Sequence, residues 1–311
     1  MKIASAPCSY GVFGGSTIAF RPADLLAAMA DAGYTGSELG PPGFFGTPAQ
    51  TARAFAGHGL TAVGSYAPLH LSLPDQIMAA DLENMRRTLA ELAACGNPDA
   101  VAVLADEGDA ALRAVPWRLP GERGLNERAW HRAAERLTAA CDLAKSFGVR
   151  PAFHPHYATY VEQAAEIDTL MALTDVPLCL DTGHFTLGGA DPATYARTYA
   201  ARLGHVHIKD IRHAVVQTAR LAYASGPPRP GETGLDITDQ ADDALETWWA
   251  DVACPLGQGD VPLEPFLAQL RSNGYTGWYV IEQDRAPVTP ATWTQTVADQ
   301  RSNHSWLVER G

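Results

Sequence analysis

Carboxylates and imidazoles recur in this chain where short apolar runs end: Glu38, His70, Asp106, His154 and His156, Asp181 and His184, His207 and Lys209, then Glu282. Residues two apart along a strand face the same way. In His205-Val206-His207-Ile208-Lys209 both histidines and the lysine therefore share one face, and the apolar pair takes the other. His154 and His156 also share a face, as do Trp278, Val280 and Glu282. Asp181 closes the apolar run Val176–Leu180, and Thr182-Gly183 reads as a turn that brings His184 back over the same point. Two imidazoles and two carboxylates converging from different strands would make a mixed nitrogen and oxygen site. Such a set suits manganese, cobalt, iron, nickel or zinc, and ligand identity alone does not choose among them.

These residues can meet only in a fold that brings many strand ends together. Strand-like runs alternate with helical patterns about eight times. Strands are expected at Lys2–Ala6, Tyr34–Leu39, Leu60–Ala67, Ala100–Leu104, Arg150–His154, Leu178–Asp181, His205–Lys209 and Trp278–Glu282. Helical stretches are expected at Pro22–Ala32, Asp75–Ala94, Glu127–Phe147, Glu162–Leu173 and Pro192–Arg202. Gly33, Gly148 and Gly274 read as left-handed helix terminators, and Asp191-Pro192 as a helix start. Regular alternation of this kind points to an α/β fold, a single-domain (β/α)8 TIM barrel over residues 1–311. In such a barrel the active site lies at the C-terminal ends of the strands. The rival, a doubly wound open sheet, lacks support because Gly11, Gly14 and Gly15 do not have the GxGxxG spacing of a phosphate turn.

Two stretches interrupt the rhythm. Val115–Gly124 reads as a loop on the fourth unit. A longer insertion after strand 7, about residues 212–262, runs from a helix at Val215–Ala222 through Gly226-Pro227-Pro228 to Asp236–Trp249. Loops of that length in compact domains are usually functional, and on the catalytic face this one would act as a lid. Trp248-Trp249 reads either as buried lid residues or as a surface for a homo-oligomer.

The totals exclude other classes. A net charge of −12 opposes nucleic acid, and Arg86-Arg87 and the Arg118 to Arg123 loop are too small a basic patch to offset it. The five cysteines are scattered and form no CxxC pair, which fits a reducing cytoplasm. No apolar run is long enough to cross a bilayer, and Met1-Lys2-Ile3-Ala4 leads into a strand-like segment rather than a leader.

At these residues the chain resembles the xylose-isomerase-like barrel superfamily, the sugar phosphate isomerase/epimerase group, and most of all the inosose (2-keto-myo-inositol) dehydratase family. The resembling segments include Ala32–Pro41, Phe153-His154-Pro155-His156, Thr159-Tyr160-Val161-Glu162, Asp181-Thr182-Gly183-His184, His205–Asp210, Gly257-Gln258-Gly259-Asp260, Gly274–Trp278 and Glu282-Gln283-Asp284. The resemblance implies that Asp181, His207 and Glu282 ligate one divalent metal, manganese or cobalt first, with zinc, iron, nickel or magnesium as alternatives. It places His154 at the fourth ligand position, where the superfamily usually has glutamate. His184 matches a substrate-contacting histidine, and Lys209 falls where a polar group would meet substrate. Two departures stand out: Cys8 follows Pro7 where the dehydratases carry tryptophan, and the insertion after the seventh strand is longer.

A metal-dependent lyase acting on a keto-cyclitol or keto-sugar is the activity this implies. A bound cation would polarise the carbonyl as a Lewis acid, while a base takes the α-proton and an acid protonates the departing β-hydroxyl. His184 and Lys209 are expected to handle the protons, and His156, Glu38 and His70 to bind substrate. The same machinery would serve a sugar isomerase or epimerase, or a lyase releasing an aglycone from a 3-keto-glycoside. A non-catalytic sugar-binding barrel predicts gaps in the ligand set. A DNA-repair endonuclease of this fold would need three metals and more histidines. The partner expected is a small polyol or sugar.

Overall fold

The computed structural model describes residues 1–14, 20–113, 124–224, 251–285 and 288–311. Ten strands are described: β1 (Lys2–Ser5), β2 (Gly36–Leu39), β3 (Thr61–Leu69), β4 (Val101–Asp106), β5 (Arg150–Phe153), β6 (Leu178–Asp181), β7 (Leu203–Ile208), β8 (Asp210–Ile211), β9 (Ala253–Cys254) and β10 (Trp278–Ile281). β1 to β7 and β10 are parallel and close into a barrel, with β10 between β7 and β1. Closure excludes the open doubly wound sheet.

Side-chain alternation divides the core into two parts. Val206, Ile208, Leu178, Leu180, Tyr279 and Ile281 join the large apolar cluster with the surrounding helices. Inside the barrel the apolar residues are mostly small: Ala4, Ala6, Val63 and Val280 form one group, and Val101, Val103, Ala152 and Cys179 another. The apolar pair of β7 thus packs outward as its spacing predicts, and His205 and His207 take the inward face.

Gly33, Gly148 and Gly274 all have positive φ, as expected of left-handed terminators. Asp191 caps the helix Pro192–Thr198 by accepting from the Thr194 N–H. Sequence periodicity misses the helix Pro48–Gly57, because only Thr51 and Phe55 of its residues are buried. Thr47 and Gln50 nonetheless form a capping box at its start. Thr182-Gly183 is not a free turn either. It opens a helix, Thr182–Leu187, whose N-cap is Asp181.

The insertion after β7 has a defined base. The helix His213–Ala224 covers the expected Val215–Ala222 segment, and β8 pairs antiparallel with β9. Gly226-Pro227-Pro228, Asp236–Trp249, Trp248-Trp249 and most of Val115–Gly124, with Arg118 and Arg123, lie outside the described residues. Asp210 fastens the base. Its Oδ2 accepts from the N–H groups of Gly257 and Gly259, each at 2.9 Å, and its Oδ1 from those of Ile211 and Val261. A Cβ on Gly259 would meet Asp210 Oδ1 at 2.3 Å and the Ile211 carbonyl at 2.4 Å, so this clamp requires glycine there. Asp210→Ala is expected to destabilise the fold by about 2–4 kcal/mol, since several backbone donors lose their acceptor in a buried place. Urea denaturation checks it: the midpoint should fall at constant m, with Asp210→Asn falling less.

Candidate metal centre

Each residue of the centre is aimed by its strand. Asp181 ends β6 and pairs in register with His207 of β7, which in turn pairs with Val280 of β10, two residues before Glu282. His154 follows β5 directly. The helix that starts after β6 orients Asp181: Oδ1 accepts the His184 N–H at 2.9 Å, which leaves Oδ2 for the barrel axis.

Four residues converge there. Ligand atoms of His154, Asp181, His207 and Glu282 all lie within 4.8 Å of one another, and all four residues are buried. His207 Nδ1 is 3.3 Å from Glu282 Oε2 and 3.7 Å from Asp181 Oδ2, and His154 Nε2 is 3.6 Å from Asp181 Oδ2. Asp181 Oδ2 and His207 Nδ1, 3.7 Å apart, have no hydrogen-bond partner. Buried polar atoms are normally paired, so orphans clustered on one point call for an explanation. A divalent cation supplies it, because two imidazoles and two carboxylates are a donor set that such an ion accepts.

The electrostatics favour positive charge at this point. Burial works against ionisation of Glu282, but His207 and Lys209 outweigh it and hold the carboxyl at about 2. Asp181 is held well below the usual carboxylate range, against burial, by Lys209 and His184. Burial disfavours a charged His207, yet the acidic groups of Cys179, Glu282 and Glu38 around it raise it well above the ordinary imidazole value.

Lys209 stands beside the four. It is buried, and its Nζ lies 2.7 Å from Asp284 Oδ2, 3.1 Å from Glu282 Oε2, 3.4 Å from Asp181 Oδ2 and 3.2 Å from His184 Nε2. Thr182 Oγ1 accepts the Lys209 N–H and donates to its carbonyl, which fixes the lysine backbone over the new helix. His184 Nδ1 accepts the Tyr157 N–H at 3.1 Å. A neutral His184 bonded in that way carries its proton on Nε2, the atom facing Lys209. An imidazole N–H and an ammonium are both donors, so their hydrogen bond forms only when the lysine is an amine. Burial disfavours a charged lysine, but Asp181, Asp284 and Glu282 hold its ammonium well above the usual range, so the two nitrogens meet here as donors.

His156 packs over His184 with ring centroids 4.0 Å apart, and burial together with His154 and Lys209 brings its imidazole down to about 3. Tyr66 of β3 closes one wall, 6.1 Å from His156 and 6.3 Å from His154 between ring centroids. His70 stands apart from the four-residue group: Nδ1 is 3.0 Å from Asp81, which also accepts its backbone N–H. Asp106 anchors loops, accepting from Leu71 N–H and Tyr160 N–H, and burial raises its carboxyl to about 6. Glu38 engages interior histidines instead of facing the mouth. Its Oε1 is 2.9 Å from His205 Nε2 and 3.0 Å from His207 Nε2, and these hold it well below the usual range although burial opposes this.

The sequence reading missed Asp284, Tyr66 and the Tyr157 N–H. Asp284 was within reach of strand logic, being two residues from Glu282. Cys8, where the resemblance leads one to expect tryptophan, places its thiol within 4.8 Å of carboxylate oxygens of Glu282 and Asp284. Burial and those acids push that thiol well up, so it stays neutral. All five cysteines are free thiols. No helix among the described residues is long and apolar enough to cross a membrane.

A closed parallel barrel with acids and imidazoles gathered at the C-terminal mouth is the architecture of the xylose isomerase-like barrels. The chain belongs to that family, the Xylose isomerase-like TIM barrel, whose pattern matches residues 26–307. It is 31% identical over 185 residues to an inosose dehydratase of Geobacillus kaustophilus, a match covering 58% of this chain and 54% of that one. The chain thus spans about half the length of the curated relatives it matches. Among solved structures it superposes on an L-ribulose 3-epimerase with a TM-score of 0.68 and 17% identity, over 99% of this chain and 93% of the other. It also superposes on the IOLI protein with a binding zinc atom, at 0.67 and 15% identity, over 99% and 97%. These two likenesses show the fold.

Proposed function

We propose that the protein is a metal-dependent carbon–oxygen lyase that removes water from a keto-cyclitol or keto-sugar, in the manner of an inosose dehydratase. One observation carries the reading: four buried ligand atoms converge beside a lysine whose Nζ lies 3.2 Å from His184 Nε2. His154, Asp181, His207 and Glu282 hold the cation, which when bound supplies Lewis-acid polarisation of a carbonyl. Lys209 and His184 move the protons. The α C–H bond breaks as its proton passes to the base, the β C–O bond breaks as the hydroxyl takes a proton from the acid, and water leaves. His156, over His184, contacts a substrate hydroxyl. The inosose dehydratase relatives support the substrate class. The zinc in a neighbour's structure supports a divalent metal, with manganese and cobalt equally suited to the donors. Residues 1–311 form one barrel domain on this reading, and the free thiols suit a cytoplasmic enzyme.

The test is incubation of the metal-loaded protein with 2-keto-myo-inositol, followed by mass spectrometry and NMR. Loss of water is expected. Inverted configuration would make it an epimerase, aglycone release from a 3-keto-glycoside a different lyase, and binding without turnover a sugar-binding barrel. The metal has its own check. His207→Ala should lower affinity for Mn2+ or Zn2+ more than about 100-fold, beyond the 10–100-fold typical of a group that only supports a ligand. A variant that binds as well as wild type overturns the assignment.

A further inference from the structure

We infer that Glu38 is a positioning residue for the metal centre: it holds the Nε2 proton of His207 so that Nδ1 presents its lone pair to the cation. The inference rests on the four-residue metal reading above.

Several independent features of the fold serve to place this one carboxylate. β2 slips register against β3 between Ser37 and Glu38, a bulge of the kind that re-aims a side chain. The residue paired with Glu38 on β3 is Gly64, where a Cβ would stand 3.1 Å from Glu38 Oε1 and 3.0 Å from the Val101 carbonyl. A bare glycine thus makes room for the acid. His205 and His207, on the inward face of β7, both reach the same oxygen, at 2.9 and 3.0 Å.

Donor and acceptor count then fixes the tautomer. A carboxylate only accepts, so both histidines must carry hydrogen on Nε2. With Nε2 committed to Glu38, Nδ1 is the nitrogen that His207 would give to a cation on losing its second proton. This is the atom that is buried without a partner, 3.3 Å from Glu282 Oε2 and 3.7 Å from Asp181 Oδ2. A carboxylate behind a ligating imidazole fixes ring orientation and raises ligand basicity. His205 supports the arrangement from one layer deeper in the barrel, where it pairs with Cys179 while His207 pairs with Asp181.

The experiment measures Co2+ affinity by competition with a chromogenic chelator for wild type, Glu38→Gln and Glu38→Ala, together with 15N–1H spectra of the imidazoles in the Zn2+-loaded and metal-free protein. Glu38→Ala is expected to lose 10–100-fold in Co2+ affinity. Glu38→Gln, which keeps an oxygen acceptor without the charge, should lose less. The Zn2+-loaded wild-type spectrum should place the His207 hydrogen on Nε2 alone. A merely structural acid would lower the melting temperature and leave both affinity and tautomer unchanged, which overturns the inference, as does an Nδ1–H tautomer in the Zn2+-loaded wild type. If Glu38→Ala fails to fold, the Gln variant and the wild-type spectrum still decide. A wild type that binds no Co2+, or a His207→Ala that binds it equally well, overturns the metal reading and this inference with it. Glu38 variants with wild-type affinity overturn only the latter.

Discussion

Lys209→Met is expected to lower kcat for dehydration of 2-keto-myo-inositol by about 10²–10⁴-fold, the range for loss of a positioned acid or base, in a protein that still holds its cation. The methionine keeps most of the buried stem, which packs over Gly183, where a Cβ would come within 2.8 Å of Lys209 Cγ and Cδ. What it removes is Nζ, with its contacts to Asp284, Glu282, Asp181 and His184. Two of those carboxylates, Asp181 and Glu282, belong to the proposed ligand set. Freed of a competing ammonium, they should bind the metal as tightly as before or more so. Activity and affinity are thus expected to move in opposite directions, which a simple loss of folding cannot produce. Lys209→Arg sharpens the point, because guanidinium retains the charge but does not give up its proton. It should be nearly as inactive as the methionine variant. If either variant retained kcat within about 3-fold, Lys209 would be only an ion-pair partner and the proton would travel by another route.

The barrel was legible because a (β/α)8 chain repeats one local rule. Runs such as Leu178–Asp181 and Trp278–Ile281 are apolar and short, and glycines such as Gly33 and Gly148 stop the helices between them. The inward face of β7 followed from alternation alone, and so did the meeting of its imidazoles with acids from neighbouring strands. Layering along the barrel axis was less legible. Glu38 and His207 both sit on strands that lead to the mouth, yet a bulge and a glycine turn Glu38 toward the histidines beneath it. No period in the sequence announces a bulge. His70 follows β3 directly, and Asp81 of the next helix holds its ring at Nδ1. Asp106 ends its strand with a carboxyl committed to the backbone donors of Leu71 and Tyr160. A strand-end position, then, says that a side chain can reach the mouth. Its hydrogen-bond partners, which lie far away in sequence, decide whether it does.

The Asp181 variants carry the second large effect, because on the proposed reading this residue serves both the fold and the cation through different oxygens. Oδ1 caps the helix Thr182–Leu187 and Oδ2 faces the other ligands. Anything that binds only the native state stabilises it by RT ln(1 + [L]/Kd), about 4 kcal/mol at a thousandfold excess over Kd. For a domain of this size that should raise the melting temperature by roughly 5–10 °C. In Asp181→Ala the metal-free protein should melt lower, since the cap alone is worth about 1 kcal/mol. It also loses a charge that offsets buried Lys209. Added Mn2+ or Zn2+ should then produce no rise. Asp181→Asn separates the two oxygens. Its amide oxygen can still accept the His184 N–H, so the metal-free melting point should stay closer to wild type, while the amide nitrogen it turns toward His154 and His207 is a donor that repels a cation. Scanning calorimetry with and without metal reads both effects in one series. A melting point of Asp181→Asn that climbs with metal as far as that of wild type would mean that the ion binds elsewhere in the chain.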